Sequence, residues 1–145
     1  MQTAFLTLLP ETILIIAGCL FIFAGSFPAR RGVWGWWSLI AIGGAAFAEY
    51  NLTRIVGNQI STVPSLVLND QLSSLFHYAF LLLGALFTLT AMQDRDHQLN
   101  AAEFFGLLLN VVAGMMIVAS ANELILLFLG LELISIPMYV LLYLG

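Results

Sequence analysis

The sequence contains no lysine, a single cysteine and little charge of either sign: four arginines and eight acidic residues, 8% of 145 positions. Soluble domains carry about 25% charged residues, so an ordinary soluble globular domain is excluded. Intrinsic disorder needs low hydrophobicity and high charge, and 61% of this chain is hydrophobic. Cys19 cannot form an intrachain disulfide, and no Cys/His spacing suits zinc or an iron–sulfur cluster. It is read as a packing residue. Neither a GxGxxG nor a P-loop string occurs, so no nucleotide motif is present. The net charge of −4 and a pI near 4.8 leave no basic face for a nucleic acid. No basic residue precedes the first apolar run, and Glu11 lies within it, which is unlike a signal peptide.

What is abundant is apolar sequence, with a mean hydropathy of +1.02. Five stretches reach or approach the roughly 20 residues that a bilayer requires. They run from about Pro10 to Phe27, Val33 to Glu49, Leu72 to Met92, Ala101 to Ala119 and Ala121 to Leu144. The fold class expected is all-α: a polytopic bundle of about five transmembrane helices in one membrane domain, with the lipid bilayer as its first partner. Pro10 suits a first helical turn, and Glu11 then faces the positive end of the helix dipole. The Ala- and Gly-rich centre of the second span, Ala41 to Ala48, suits close helix packing. Trp34, Trp36 and Trp37 at its start suit an interfacial belt. Asp70 is expected to cap the third span. Asn100 with Glu103, and Ser120 with Glu123, have capping-box spacing at the starts of the fourth and fifth. The gap between those last two spans is so short that they must be antiparallel neighbours.

Arginine sets the expected orientation. Arg30 and Arg31 lie in the first loop and Arg95 in the third, on one side, against Arg54 in the second. The positive-inside rule places the first and third loops in the cytoplasm and the N-terminus outside. The chain ends at Gly145, directly after the fifth span, which suggests a piece of a longer protein.

Polar groups at membrane depth carry the functional reading. Glu132 lies about 16 Å into its span, where an acid costs about 2.5–3.5 kcal/mol on insertion scales. It reads as a proton or ion relay, with interhelical hydrogen-bonding glue as the alternative. Ser135 and Tyr139 share its face by i+3 and i+7 spacing, as do Phe128, Leu129 and Ile136. Pro137 removes the backbone bond to Leu133 and is expected to break or kink the helix. His77, inside the third span, is a weaker candidate, since imidazole exchanges protons near neutral pH. Asn110 is expected to bond a neighbouring helix, and His97 to be solvated in a loop. Glu123 points away from Glu132 and reads as a cap. With no lysine present, and with arginine unable to give up its proton, a basic partner for Glu132 must lie beyond Gly145 or in another subunit.

The stretch Ser120 to Leu144, with GLELISIPMYVL at its centre, closely resembles the fifth transmembrane helix of the antiporter-like membrane subunits of respiratory complex I, the bacterial NADH–quinone oxidoreductase. It is most similar to the subunit N branch of that family. Asp70-Gln71-Leu72-Ser73 resembles the start of the family's third helix and EFFGLLLNVVAGMM from Glu103 to Met116 its fourth, and the early Leu9-Pro10-Glu11 also fits the resemblance. The resemblance covers the whole chain but only the first part of the family's length. It implies a subunit of a proton-translocating enzyme of the bacterial inner membrane, in which NADH oxidation and quinone reduction drive proton transport. It implies that Glu132 meets a lysine of a later helix, and that the partners are protons and the other membrane subunits. Flavin, iron–sulfur centres and quinone would be held elsewhere, with no cofactor and no metal in this chain. A subunit of a monovalent cation/proton antiporter complex and a non-catalytic membrane scaffold are the alternatives.

Overall fold

The computed structural model describes residues 7–25, 31–56, 71–93 and 101–144, and they form five helices: α1 (Leu9–Ala24), α2 (Arg31–Val56), α3 (Gln71–Gln93), α4 (Ala101–Ser120) and α5 (Leu124–Leu144). The all-α bundle expected from the apolar runs is present. Residues 71–93, 101–120 and 124–143 are long and apolar enough to cross a membrane, while α1 is apolar but shorter. Asp70, Asn100, Arg30, Arg95 and His97 lie outside the described residues, so the caps and the arginine asymmetry read from them do too.

On the inner faces of α1, α2 and α3, small and polar residues outnumber large apolar ones. In α2 the buried positions are Gly35, Ser38, Ile42, Ala45 and Glu49, spaced alternately by three and four. In α3 they are Ser73, Ser74, His77, Leu81, Gly84 and Thr88, and in α1 Pro10, Glu11, Leu14 and Gly18. Residues three and four apart share a helix face. Where lipid replaces water, hydrophobicity does not drive helices together, and small side chains that let backbones approach become the packing surface.

The central helix is α4, buried along most of its length and packed against all four others. Its two glycine crossings fix the neighbours. A Cβ on Gly106 would come within 2.6 Å of the Gly18 carbonyl oxygen in α1, and one on Gly114 within 3.0 Å of the Gly130 carbonyl oxygen in α5. Gly114 also faces Ile134, and Gly130 faces Val118. That descending register makes α4 and α5 the antiparallel pair expected.

Several local expectations are corrected. Close packing in α2 does not use Gly43 and Gly44, around which a Cβ would meet nothing within 4 Å. Cys19 is exposed on α1 and not a core packing residue, because the inner stripe of that helix passes through Leu14 and Gly18. Ser120 does not cap α5. Its hydroxyl donates backwards to the carbonyls of Met116 (3.1 Å) and Ile117 (3.3 Å), closing α4. Helix α5 starts three residues later than expected, where Leu127 N–H donates to the Glu123 carbonyl at 3.0 Å. Asn110 does not bond a neighbouring helix through its amide nitrogen, which donates to Gly106 in its own helix at 3.1 Å while lying against Gly18.

The largest boundary difference is in α2. The apolar run suggested an end at Glu49, but the helix continues to Val56. Side chains of the last turns satisfy its backbone: Asn51 donates to the Phe47 carbonyl and Thr53 to that of Glu49, each at 2.9 Å. Arg54 stacks over Tyr50 one turn earlier, 4.7 Å from the ring centroid, with its charge at the negative end of the helix dipole. The consequence is that Glu49 lies inside the bundle and not at its rim.

Candidate functional site

Two acidic features stand out, one buried and one exposed, and α4 stands between the helices that carry them. The first was not assembled by the sequence reading. In an antiparallel bundle, the start of α1, the end of α2, the start of α3 and the end of α4 meet at one end. There Glu11 and Glu49, each 1% exposed, flank His77, 4% exposed. His77 Nε2 is 3.0 Å from the Met116 carbonyl oxygen of α4 and 3.7 Å from Glu11 Oε1. On the other side of the ring, Nδ1 is 3.3 Å from Glu49 Oε1, off the line of a good hydrogen bond. Ser74 donates to the same Glu49 oxygen at 3.2 Å, and Thr53 lies 3.4 Å from the Ser74 hydroxyl. Both oxygens of Glu11 and Glu49 Oε2 are buried with no hydrogen-bond partner among the described residues.

The Met116 carbonyl decides the imidazole tautomer. A carbonyl only accepts, so Nε2 carries a hydrogen. If Nδ1 then held only a lone pair, it would stand 3.3 Å from a carboxylate oxygen with like charge facing like. Buried charges persist only when paired. A hydrogen on Nδ1, or on the facing Glu49 oxygen, would relieve that contact. His77 was a candidate from sequence, and the structure gives it partners. Glu11, Glu49 and Ser74 were missed as members of a site. Glu11 had read as a dipole-facing helix start, and Glu49 as a span terminus.

The second feature is Glu132, on α5. It is exposed, and no hydrogen bond or ion pair joins it to any described residue. Helix α5 meets α4 through Gly130 and Ile134, which turns Glu132 away from the bundle. The surrounding face is apolar and equally open: Phe128 is 62%, Leu129 55% and Ile136 58% exposed. Tyr139 is exposed on that face at 71%. Ser135 is half-buried, and its hydroxyl donates to the Leu131 carbonyl of its own helix at 2.8 Å, so it is not turned to Glu132. Pro137 is buried and does not break α5, which continues through it as one helix. The ring removes a single backbone donor, and one missing bond is not enough to interrupt a helix packed along α4.

Among the described residues, no group of three or more His, Cys, Asp or Glu is arranged to hold a metal ion. The structure and composition together define a class: an all-α membrane protein with acidic groups at depth. Comparison with protein-family models finds no match. Curated relatives are informative. The chain is 35% identical over 137 residues to NADH-quinone oxidoreductase subunit N of Trichlorobacter lovleyi, covering 92% of this chain and 28% of that protein. It is 31% identical to F(420)H(2) dehydrogenase subunit N of Methanosarcina mazei, covering 92% of this chain and 29% of the relative. It is 32% identical to NAD(P)H-quinone oxidoreductase subunit 2 of Gloeobacter violaceus, covering 93% of this chain and 26% of the relative. Over the stretch it covers, the chain belongs to the subunit N family of NADH-quinone oxidoreductase, a family of complex I membrane subunits. It spans less than a third of the length of the curated relatives it matches.

Proposed function

We propose that this chain forms part of a proton-translocating membrane subunit of a quinone-reducing dehydrogenase, with Glu132 as a residue that carries or gates the proton. The observation that supports this most is the setting of Glu132. It is an acid about 12 Å along α5, on an open apolar face, with no partner among the described residues. Packing within the bundle gives no reason for it, since leucine would serve that face at lower cost. Intramembrane acids point by default to a functional pathway.

The relatives' names support a role that does not depend on the electron donor. They name NADH, NAD(P)H and F(420)H(2), while the matching subunit is shared. A subunit common to complexes with different donors suits a step downstream of donor oxidation, and proton movement is such a step. It also favours a dehydrogenase over an antiporter complex. In this reading flavin, iron–sulfur centres and quinone are held by other subunits, and the partners are the remaining membrane subunits. The chain has no lysine, so the basic group that meets Glu132 belongs to another segment of the assembly. Opposite charges favour each other's ionised form, so movement of that base toward or away from Glu132 switches its hold on a proton. The subunit lies in the bacterial inner membrane with its N-terminus outside.

The test uses membrane vesicles containing the complete complex. Glu132→Gln is expected to lower protons pumped per electron at least two-fold, while donor oxidation by an artificial acceptor is retained. Glu132→Asp is expected to recover part of the loss. Full pumping by an assembled Glu132→Gln complex would return Glu132 to a packing role.

A further inference from the structure

We propose that Glu11, His77 and Glu49 form a second proton-exchanging site of this subunit, in which His77 passes a proton between two buried carboxyl groups. Three independent observations support it. His77 lies between acids from two different helices, 3.7 Å from Glu11 and 3.3 Å from Glu49. The Met116 carbonyl 3.0 Å from Nε2 calls for a hydrogen there, which leaves Nδ1 to exchange a second proton on the Glu49 side. Both oxygens of Glu11 are buried, unpartnered and on the side of the ring opposite Glu49. A purely structural ion pair would need one acid, and its carboxylate would be saturated with donors. Here the second acid has an open valence within reach of the imidazole.

The transfer balances as follows. A protonated Glu49 gives its proton to Nδ1: the O–H bond breaks, an N–H bond forms, and the pair becomes carboxylate and imidazolium. The imidazolium then turns its Nε2–H from the Met116 carbonyl to Glu11 Oε1 and releases that proton, leaving neutral imidazole with its hydrogen on Nδ1 and its bare Nε2 turned away from the carbonyl. One proton has moved from Glu49 to Glu11, and no charge has been created. Both steps need movement: Nδ1 and Glu49 Oε1, 3.3 Å apart, must come into line, and the 3.7 Å separation to Glu11 must close by up to about 1 Å or be bridged by one water. The tautomer resets when the ring turns over or when a proton returns by the same route.

The groups facing this site are few. From α1 there is Glu11, from α2 Glu49 and Thr53, from α3 His77 and Ser74, and from α4 the Met116 carbonyl. Tyr78, next to His77, is exposed but interacts with Thr53 and with the charge of Glu49, while Arg54 and Tyr50 beyond Glu49 are exposed. Glu132 is on α5, which packs on α4 by its opposite face. The site therefore has its own proton count.

The experiment uses the purified complete complex and its vesicles. Infrared difference spectra between high and low pH, in light and heavy water, read carboxyl protonation without any pumping. A deuterium-sensitive carboxyl signal is expected, absent in Glu49→Gln and Glu11→Gln and displaced in His77→Asn. In vesicles, each Gln variant is expected to shift the pH profile of proton pumping, while donor oxidation by an artificial acceptor is unchanged. If a Gln variant does not assemble, the Asp variant at the same position, which keeps the titrating group on a shorter arm, is expected to assemble and shift the profile. Spectra and pH profiles identical to the parent in the Gln or Asp variants would overturn the proposal. Glu132→Gln in parallel separates the two sites: it is expected to lower pumping and leave the carboxyl signal of the cluster in place.

Discussion

In the α1–α4 bundle, two acids are buried: Glu11 of α1 and Glu49 of α2 are each 1% exposed and share His77. In α5, the acid faces outward, on a surface where Phe128, Leu129, Ile136 and Tyr139 are all more than half exposed. Helix α5 is more apolar than α2 or α3, and only the first region supplies its acids with partners from within. An intramembrane carboxyl needs a counter-group, a proton or water. The first region obtains one from neighbouring helices. The second depends on what covers α5 in the assembly.

That contrast can be broken most severely at His77. His77→Leu removes the base between two buried acids. Breaking a buried pair in this way costs about 3–5 kcal/mol. Little assembled subunit is expected in membranes by quantitative immunoblot, whereas Glu132→Leu is expected to leave the α1–α4 bundle intact. A smaller effect is expected at the helix crossings. Gly106→Ala places a methyl 2.6 Å from the Gly18 carbonyl oxygen, where only backbone can yield, at a cost of about 1–3 kcal/mol. Gly43→Ala meets nothing within 4 Å and is expected to stay within about 0.5 kcal/mol of the parent. The apparent melting temperature of the purified complex distinguishes the two. Ser74→Ala deletes the donor to Glu49, worth about 1–3 kcal/mol when a buried acceptor loses its partner. It is expected to lower that temperature while leaving the subunit assembled. Glu123→Gln, at an exposed position before α5, is expected to change neither stability nor pumping measurably.

The five helices were legible because each is an apolar run bounded by polar residues. The α4–α5 turn was legible from its shortness. The interior was not, because uniform apolarity hides which side of a helix is buried. The clue lay in the small and polar residues: Gly35, Ser38, Ile42, Ala45 and Glu49 repeat every three or four positions and point Glu49 inward. Reading Glu49 as the end of a span concealed this. An up-and-down order of helices also brings the start of α1, the end of α2 and the start of α3 together, which is how Glu11, Glu49 and His77 come to meet. Their separations and the Met116 carbonyl could not be read without coordinates, because they depend on helix rotation. Glu132 was legible as an unusual residue. Its outward direction was not, since that depends on α4 taking the Gly130 face.

The account rests on Glu132 being completed by protein from outside the described helices. A photo-crosslinking amino acid incorporated at position 132 of the subunit in the complete complex tests this directly. Illumination followed by mass spectrometry is expected to give a protein–protein adduct, to a segment of the assembly that carries a basic residue at membrane depth. Adducts to lipid alone, from a complex of normal composition, would contradict it.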